Sequence, residues 1–496
     1  MPKKSLILSI DQGTSGSKAV IFDTSSNIIS IGRASLQSSY PREGWVEQNP
    51  EEIFKSVLTA VRTAIDDLTR KNHSITEIIS SGISNQRETF LLWDSAGTPL
   101  TPAIVWQCKR SIPICEDIIE KKDDSWLRSR TGLFIDPYFS GTKLLWLYHN
   151  NPDIREKIDS GKAYFGTIDT WLVFRLTEGK SFKTDYTNAS RTLLFNLKEL
   201  KWDTEILKKY NFDKLNLADA QPSGSHFGES SFGGIFKNPL PITGVIGDSH
   251  AAAFGERCFD KGTAKATMGT GCSVLLNTGE MVAPEKTSMV STICWSTENT
   301  VSYALEGIIV SCGATLTWLR SQLGLFNNEK QANDMADSIK NNGSVFLIPA
   351  FSGLGAPWWK MNQKAEIRGL TFNTDKRHIV RAGLESIAYQ ITDVIKAMEN
   401  HSGTTLKSVQ IDGGVSASSF ITGLIALLNT ETDIIRCELK EASALGAALL
   451  SGLTFGAFNT IEDLRRLQYN DYKIKSTMDT GISDNYQQWT KILQGL

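Results

Sequence analysis

The chain has 496 residues, too many for one compact domain and suitable for two large ones. Hydrophobic residues make up 41% and charged residues 21% of the sequence, and the formal net charge of -2 offers no attraction for nucleic acid or anionic lipid. The composition therefore excludes a nucleic-acid or membrane-surface partner on electrostatic grounds and favours a small neutral ligand between two lobes.

The amino-terminal segment and the cysteines indicate the compartment. The apolar run at residues 6–10 is interrupted by Ser9 and followed by Asp11, so it is too short for a signal sequence or a membrane span. Seven cysteines without a CxxC pair argue against a disulfide framework and against a zinc site. We therefore expect a cytoplasmic protein with no membrane span, whose cysteines are reduced and mostly buried.

Strand-like and helix-like segments alternate along the first half of the chain. Residues 6–10 and 18–22 predict a β-hairpin, residues 50–68 predict a helix, and residues 78–83 predict a further strand. The polar, glycine-rich residues 223–234 predict a surface loop. This alternation indicates an α/β fold.

A second set of elements begins near residue 240. Residues 242–246 predict a strand, and an alanine-rich helix is expected over residues 249–256. Residues 265–268 and 273–277 then predict a second hairpin, which resembles the first one. Residues 408–411 predict a short strand that is followed by a polar turn, as residues 78–83 are in the first half. A weak internal duplication is the simplest explanation.

The turn of the first predicted hairpin carries the residue types that bind phosphate. Asp11 lies at the end of a strand, and Gly13, Thr14 and Ser15 follow it. Glycine lets backbone N–H groups approach an anion, the hydroxyl groups add donors, and Asp11 is the candidate ligand for Mg²⁺. An ordinary hairpin turn is the alternative interpretation, because glycine, serine, threonine and aspartate are the usual turn residues.

Two turns in the second half have complementary chemistry. Gly269 and Thr270 lie in the turn of the second hairpin, where a strand follows instead of the helix that a dinucleotide-binding motif requires. The Asp412-Gly413-Gly414 turn precedes a predicted helix at residues 419–429 and suits the close approach of an adenosine group. Together the three turns predict a nucleotide site.

Asp248 is the candidate general base. It follows an apolar strand and precedes a helix, so its carboxylate is expected to project into the cleft and accept a proton from a substrate hydroxyl. The competing role is that of an N-cap for the following helix. The adjacent Ser249 and His250 do not form a catalytic triad with it, because consecutive side chains cannot build the relay, and His250 is expected on the helix surface.

Four residues are candidates for a polyol pocket. Arg87 and Glu88 follow a buried-looking strand and offer a donor fork beside an acceptor, a combination that binds vicinal hydroxyls. A surface ion pair is the alternative. Trp106 and Tyr138 lie in apolar surroundings and are expected either to line a sugar-sized site or to belong to the core.

Ordered segments across nearly the whole chain resemble the FGGY family of carbohydrate kinases, and within it the glycerol kinases. The segments that carry the resemblance are Asp11-Gln12-Gly13-Thr14, Gly44-Trp45-Val46-Glu47, Asn85-Gln86-Arg87-Glu88-Thr89, Asp136-Pro137-Tyr138, Gly166-Thr167-Ile168-Asp169-Thr170-Trp171, Thr184-Asp185-Tyr186-Thr187-Asn188, Gly269-Thr270-Gly271-Cys272, Pro357-Trp358-Trp359 and Asp412-Gly413-Gly414. The resemblance implies an α/β protein with two actin-like, RNase H-like ATPase domains and an interdomain cleft.

The resemblance also implies the reaction and the role of each domain. Residues 1–250 would form the polyol-binding domain with the first phosphate hairpin, and residues 251–496 the nucleotide-binding domain. MgATP would phosphorylate a small polyol, first of all glycerol, in the cleft, and the protein would form a homodimer or homotetramer. The implied polyol contacts are Arg87, Glu88, Trp106, Tyr138 and Asp248, with Asp248 as the general base. The implied nucleotide contacts are Thr14, Gly269, Thr270, Gly313 and Gly414.

Three serines depart from the family pattern at these sites. Ser249 stands where glycerol kinases of the family usually carry glutamine, and Ser273 stands where they carry an aromatic residue. Both changes shorten a side chain expected to line the polyol pocket, which bears on the choice between hydroxylated substrates. Ser418 replaces an amide side chain near the expected nucleotide base.

Three other functions compete with glycerol phosphorylation. A kinase of a longer polyol or a ketose, such as erythritol, xylitol, ribulose or xylulose, is suggested by the two short pocket side chains. An ATPase module of the actin or chaperone type would need no polyol pocket, so the pairing of Arg87 with Glu88 counts against it. A catalytically inactive sensor is disfavoured because both Asp11 and Asp248 are retained.

Overall fold

The computed structural model describes residues 5–360, 362–476 and 482–496, and its two largest sheets divide between the two halves of the chain. The strands and helices of the first half are β1 (Leu6–Gly13), β2 (Gly16–Asp23), β3 (Ile28–Ser35), β4 (Glu47–Gln48), α1 (Pro50–Arg70), β5 (Ile78–Asn85), β6 (Phe90–Trp93), β7 (Ala103–Ile104), α2 (Ile112–Glu120), α3 (Asp124–Thr131), α4 (Ser140–Asn150), α5 (Pro152–Asp159), β8 (Tyr164–Thr167), α6 (Ile168–Leu176), β9 (Lys183–Asp185), α7 (Tyr186–Ala189), β10 (Phe195–Asn196), β11 (Lys201–Trp202), α8 (Thr204–Lys209), β12 (Asn216–Leu217), β13 (Asp219–Gln221), β14 (Gly228–Ser230), β15 (Leu240–Gly247) and α9 (Asp248–Gly255).

The second half adds a longer sheet and the longest helix described. Its strands and helices are β16 (Thr263–Met268), β17 (Cys272–Gly279), β18 (Val290–Thr297), β19 (Thr300–Ile309), α10 (Gly313–Ser321), α11 (Glu329–Asp337), β20 (Phe346–Ile348), β21 (Glu366–Arg368), α12 (Lys376–Ser402), β22 (Ser408–Asp412), α13 (Ser419–Leu428), β23 (Asp433–Arg436), α14 (Ala442–Phe455), α15 (Ile461–Arg465), β24 (Tyr472–Lys473) and α16 (Ile482–Gln494). Every strand and helix that the sequence predicted is present, with bounds that differ by a few residues.

The two large sheets repeat one topology. The first has the order β14-β15-β5-β1-β2-β3, in which β1, β2 and β3 form an antiparallel meander and β5 and β15 run parallel to β1. In the second sheet, β16, β17 and β19 form the meander, while β22 and β23 run parallel to β16. Both sheets therefore share a five-strand core with the strand order 3-2-1-4-5, which confirms the predicted internal duplication.

Parallel pairing brings the ends of distant strands to one edge of each sheet. Gln12 of β1 pairs with Asn85 of β5, and Asn85 also pairs with Gly247 of β15. The residues that follow these three strands therefore meet at a single edge. The second sheet brings the turns after β16, β22 and β23 together in the same way. Because ligands of open α/β sheets bind outside the carboxyl ends of the strands, these two edges are the expected binding surfaces.

Two helices cross where the halves of the chain meet. Helix α14 belongs to the second half, yet it packs on β1, β5 and β15 of the first sheet and on α9. Its Ser451 bonds the Thr243 hydroxyl at 2.9 Å and the Ser80 hydroxyl at 2.9 Å. Gly255 of α9 and Gly446 of α14 lie at the crossing, where neither helix has room for a Cβ atom. Close backbone contact between α9 and α14 thus fixes the junction of the halves.

The structure corrects the expectation for residues 223–234. The sequence predicted a surface loop, but this segment contains the strand β14, and the side chains of Phe227 and Phe232 are buried. Both rings belong to the core cluster that packs against the first sheet. Glycine and serine mark the turns of this segment, and its two phenylalanines bury apolar surface that a solvated loop would expose.

The cysteines and helices agree with two further expectations. All seven cysteines are unpaired and buried. Among the helices of the described residues, none combines the length and apolar character that a bilayer crossing requires. The division of the chain at residue 250 stays a prediction, since the first sheet ends at Gly247 and the second begins at Thr263.

The helix crossing gives a first test. We expect Gly446→Ala to lower the free energy of unfolding by about 1–3 kcal/mol, because the added methyl overlaps the Ala251 carbonyl group. Denaturant unfolding of the purified variant measures this loss. Phe455→Leu, at the exposed end of the same helix, is the control and should change stability by less than about 0.5 kcal/mol. Equal stability of G446A and the wild-type protein would show that the crossing is not tightly packed.

Candidate active site

A buried ion-pair network joins the two halves of the chain at the edge of the first sheet. Arg87 follows β5, and its Nη2 atom donates to Glu306 Oε1 of β19 at 3.0 Å. Its Nε atom donates to Asp248 Oδ1 at 3.1 Å. The side chains of Arg87 and Glu306 are 6% and 0% exposed, whereas that of Asp248 is 41% exposed. Asp248 is therefore the most exposed of these three side chains.

A second arginine completes the network. Arg191 is fully buried, and its Nε atom donates to Glu88 Oε1 at 2.6 Å. Its Nη1 atom forms an ion pair with Glu306 Oε2 at 2.7 Å. Glu306 thus forms an ion pair with one guanidinium group at each carboxylate oxygen. Arg87 and Glu88 do not form the exposed surface pair that was the alternative interpretation, since both are buried and paired with residues far away in the sequence.

The charges of this network control its protonation. Burial alone would raise the pKa of Glu306, but the guanidinium groups of Arg191 and Arg87 outweigh it and hold that pKa well below its usual range. For Glu88, burial dominates over the same two arginines, so its pKa is raised. Glu306 is therefore the carboxylate that remains charged and anchors both arginines.

Asp248 is the first residue of α9, and Gly247 occupies the N-cap position. The alternative in which Asp248 caps the helix is therefore wrong. Its Oδ1 atom accepts from Ser249 N at 2.6 Å in addition to Arg87, and Ser443 Oγ donates to its backbone oxygen at 3.1 Å. Because both side-chain bonds are made by Oδ1, the Oδ2 atom is the one available to a substrate hydroxyl.

Two aromatic rings form a wall beside this network. Trp106 and Tyr138 pack edge to face, with ring centroids 5.5 Å apart. Trp106 Nε1 donates to Thr14 Oγ1 at 3.0 Å, and Thr14 Oγ1 donates to Gln86 Oε1 at 3.2 Å. Thr14 is predicted to contact the nucleotide, and in this structure its hydroxyl also fixes the indole of the aromatic wall. It therefore couples the first phosphate turn to the predicted polyol site.

The two serines that depart from the family pattern lie together. Ser249 Oγ and Ser273 Oγ are 3.3 Å apart, and Ser273 Oγ donates to Glu306 Oε1 at 3.0 Å. Both hydroxyls therefore extend the polar network around Arg87. The sequence prediction that Ser249 and Ser273 belong to one pocket agrees with this placement.

His250 contradicts its sequence expectation. It was expected on the helix surface, but its side chain is fully buried, and neither ring nitrogen has a hydrogen-bond partner among the residues that the structure describes. Burial, together with the nearby Arg87, lowers the pKa of the imidazole well below its usual value. The helix α9 is surrounded by α14 and the two sheets, so even the polar residues of this helix, such as His250, are buried.

A cavity of ≈ 620 Å³ lies between the halves of the chain. Asp11 and Lys18 line it from the first half, and their charged atoms are 4.0 Å apart. Burial raises the pKa of Asp11 to about 6, although Lys18 opposes this effect. The residues that line it from the second half are Asp412, Gly413, Ser416, Arg436, Cys437, Glu438, Leu439, Lys440, Glu441, Ala442 and Ser443. Because Ser443 also bonds Asp248, this cavity adjoins the polyol network.

A second cavity, of ≈ 280 Å³, collects the predicted nucleotide residues of the second half. Gly269, Thr270, Gly313 and Gly414 all line it. The other lining residues are Met268, Leu316, Thr317, Arg320, Phe326, Glu329 and Val415. Its apolar walls suit a planar base, while the neighbouring interdomain cavity offers charged side chains.

Backbone geometry holds the two cavities side by side. Gly313 N donates to Gly269 O at 2.9 Å, and Ala314 N donates to Thr270 O at 3.0 Å, so the start of α10 is tied to the hairpin turn. Gly413 has φ = +87°, and a Cβ atom there would lie 2.6 Å from Met268 O. Only glycine accommodates both constraints. Gly413 lines the first cavity and Gly414 the second, so this turn separates them.

Four predicted nucleotide residues lie outside the linings of these two cavities, namely Thr14, described above, and Gly13, Ser15 and Ser418. Gly13 and Ser15 belong to the β1–β2 turn, where Gly13 pairs with Gly16 and Ser15 is exposed. Ser418 is buried, and its hydroxyl donates to Asn333 Oδ1 at 2.6 Å and accepts from Ile421 N. Ser418 therefore serves as the N-cap of α13 in this structure.

Sequence reasoning missed Glu306 and the role of Arg191. Glu306 has a recognisable signal, because it is the acidic residue within the apolar run at residues 304–309 of β19. A charged side chain in a buried strand requires a partner, and the paired arginines supply it. The position of Arg191, inside a polar and irregular segment, carries no comparable signal.

Comparisons with known proteins agree with this architecture. Residues 6–255 match the N-terminal domain of the FGGY family of carbohydrate kinases, and residues 264–455 match its C-terminal domain. A glycerol kinase of Caldanaerobacter subterraneus is 43% identical over 491 residues, which cover 98% of each chain. The two family matches together span most of the sequence.

Solved structures repeat the fold over its full length. A crystal structure of Plasmodium falciparum glycerol kinase with ADP has a TM-score of 0.91 and 35% identity, and covers 99% of this chain and 98% of its own. A ligand-bound xylulose kinase from Lactobacillus acidophilus has a TM-score of 0.85 at 20% identity, covering 99% and 96%, and shows the fold alone. With two actin-like domains and both family matches in order, this chain belongs to the FGGY family of carbohydrate kinases.

Proposed function

We propose that this protein transfers the γ-phosphoryl group of ATP to a terminal hydroxyl of glycerol and yields glycerol 3-phosphate. The observation that carries the proposal is the half-exposed Asp248 carboxylate, held by the buried Arg87 beside the interdomain cavity. The similarity to a glycerol kinase at 43% identity over 98% of both chains supports glycerol as the acceptor.

The polyol is bound by complementary polar and apolar groups. Arg87 donates to hydroxyl oxygens, and Glu88 accepts from hydroxyl protons. Trp106 and Tyr138 cover the carbon backbone of the polyol, and Ser249 and Ser273 add hydroxyl groups at the wall nearest Glu306. Because the arginines are already held by Glu306, they do not reorganise when the substrate enters.

Asp248 acts as the general base. Its Oδ1 atom is bound by Arg87 Nε and by a backbone amide, which leaves Oδ2 to accept the proton of the attacking hydroxyl. The oxygen of that hydroxyl then forms its bond to the γ-phosphorus as the bond to the ADP oxygen breaks. Closure of the two domains excludes water from the transfer.

The nucleotide lies across the interdomain cavity and the second cavity. Gly269, Thr270, Gly313 and Gly414 surround the adenosine group, and the β1–β2 turn with Gly13, Thr14 and Ser15 approaches the phosphates from the other domain. Ser418 supports this site by capping α13. The relative whose crystal structure contains ADP supports the use of an adenine nucleotide.

Asp11 would hold Mg²⁺ at the interdomain cavity. A carboxylate that faces a polar cavity, with its Oδ1 atom oriented by Ser84 Oγ at 3.1 Å, fits the preference of this ion for hard oxygen ligands. When bound, Mg²⁺ neutralises the phosphate charge that develops during the transfer. Lys18 and Arg33 both pair with Glu441 at 2.7 Å, which orders the opposite wall of the cavity.

Asp248→Asn tests the general base. We expect kcat to fall by ~10²–10⁴, the usual contribution of a positioned base, while the KM values for glycerol and ATP change little because the amide keeps the bond to Arg87. Steady-state release of ADP measures both constants. An unchanged kcat would remove Asp248 from the mechanism.

Gly414→Leu tests the nucleotide cavity. A Cβ atom at Gly414 meets no atom within 4 Å, so the variant should fold normally while its side chain fills the cavity. We expect the KM for ATP to rise at least ~10-fold, an effect of ~1.4 kcal/mol on binding, with the KM for glycerol nearly unchanged. A melting temperature equal to that of the wild type is the control, and an unaltered KM for ATP would place the nucleotide elsewhere.

A substrate panel tests the identity of the acceptor. We expect glycerol to give the highest kcat/KM among glycerol, erythritol, xylitol, ribulose and xylulose, because the site presents few donors beyond Arg87 and the two serines. If a longer polyol or ketose gives a kcat/KM ~10-fold higher than that of glycerol, Ser249 and Ser273 determine specificity and the alternative substrate class is correct. ATP hydrolysis that does not respond to any of these compounds would favour an ATPase module.

A further inference from the structure

A buried carboxylate lies behind the active site, between the ends of two strands that carry its key residues. Asp185 is fully buried at the end of β9, and it has no contact with the cleft residues Arg87 or Asp248 among its hydrogen-bond partners in the described chain. Its two oxygens serve different strands. The Oδ2 atom is connected by hydrogen bonds to β15, which precedes Asp248. The Oδ1 atom is connected by hydrogen bonds to β5, which precedes Arg87.

The connection to β15 passes through one hydroxyl group. Thr187 Oγ1 donates to Asp185 Oδ2 at 2.7 Å and accepts from Gly247 N at 2.9 Å. Gly247 is the residue directly before Asp248 and the N-cap of α9. Because a hydroxyl can donate one bond and accept another at the same time, Thr187 transmits the position of the carboxylate to the backbone that aims Asp248.

The connection to β5 passes through a reciprocal pair of amides. Asn188 Nδ2 donates to Asp185 Oδ1 at 2.7 Å and to Asn85 Oδ1 at 3.0 Å. In return, Asn85 Nδ2 donates to Asn188 Oδ1 at 2.9 Å and to Gln86 O, also at 2.9 Å. This pair therefore fixes the peptide that leads directly into Arg87 and Glu88.

We propose that Asp185 is the positioning residue that sets Asp248 and Arg87 relative to each other, through Thr187 and Asn188 respectively. The inference rests on the proposed function, since it takes Asp248 as the base and Arg87 as the polyol donor. The Asp185 carboxylate orients the ends of both β5 and β15. Loss of the Thr187 or the Asn188 connection would therefore shift Asp248 or Arg87, respectively, relative to the other side chain. A misplacement of about 1 Å is enough to cost ~10²-fold in rate.

The environment of Asp185 suits a fixed anchor. Its oxygens accept from the backbone N–H groups of Thr187 and Asn188 at 2.9 and 3.0 Å, besides the side-chain bonds. Ser223 Oγ donates to the same Oδ2 atom at 2.7 Å, and its other partner within the described residues is Ser296 Oγ at 3.1 Å, which belongs to neither functional strand end. Thr187, Asn188, Asn85 and Ser223 are all buried, so water cannot replace these bonds without a change in packing.

The two connections predict different kinetic defects. Thr187→Val keeps the size of the side chain and removes the hydroxyl, so we expect kcat to fall at least ~10-fold while the KM for glycerol stays within about twofold. Asn188→Ala breaks the amide pair, so we expect the KM for glycerol to rise at least ~10-fold with a smaller change in kcat. Both constants come from the same ADP-release assay at saturating MgATP.

Two matched variants separate positioning from stability. Thr187→Ser retains the hydroxyl and should restore wild-type kcat. Ser223→Ala removes a bond to the same carboxylate oxygen, while the Ser223 backbone oxygen keeps its bond from Val245 N of β15. It should therefore lower the melting temperature about as much as T187V and leave kcat and KM unchanged. If T187V does not fold, Thr187→Ala provides the same kinetic comparison with a smaller side chain.

The outcomes distinguish this inference from the proposed function. If D248N is inactive while T187V and N188A show only the lower stability of S223A, Asp185 is structural and the positioning role is overturned. If D248N retains full kcat, the proposed base is wrong whatever the other variants do. A fall in kcat for T187V, its rescue by T187S and a rise in the glycerol KM for N188A would together establish the positioning role.

Discussion

The site depends on one carboxylate, Glu306, that holds two buried guanidinium groups. Removing Arg87 and Arg191 from water carries a large desolvation cost, which a single well-placed anion with one ion pair at each oxygen offsets. Loss of one member of such a buried set typically costs about 3–5 kcal/mol, because a charge is left unpaired. Glu306 belongs to the second half of the chain and both arginines to the first, so the network also joins the halves at the cleft.

The repeated sheet topology explains why the chemistry converges at this place. In each half, a hairpin and two parallel strands end at one edge, and the turns beyond that edge are free to carry polar residues. The first edge presents Arg87 and Asp248, and the second presents the glycine turns that line the nucleotide cavity. Two copies of one simple arrangement, facing each other, thus supply an acceptor site and a donor site.

The helices α9 and α14 relate these two edges to each other. Their backbones meet at Gly255 and Gly446. Asp248 is the first residue of α9, and Ser443, the second residue of α14, donates to the backbone oxygen of Asp248. The position of the candidate base is therefore set jointly by α9 and α14.

Much of the candidate site could be predicted from the sequence, because local patterns determine local structure. Alternating apolar runs located the strands, and the polar residues just beyond them, Asp11, Arg87 and Asp248, were recognisable as residues at strand ends. The order of the segments was sufficient to predict the family and the duplicated α/β fold. These features depend on residues that are close together in the chain.

Only the tertiary structure decided which distant residues meet. Arg87 and Glu306 are separated by 219 positions, and their pairing follows from how two sheets face each other across α9 and α14. For the same reason the burial of His250 and the engagement of Thr14 with Trp106 were not predictable from the sequence. A side chain's neighbours are set by the packing of whole elements, and hydrophobic periodicity describes each element without specifying its partners.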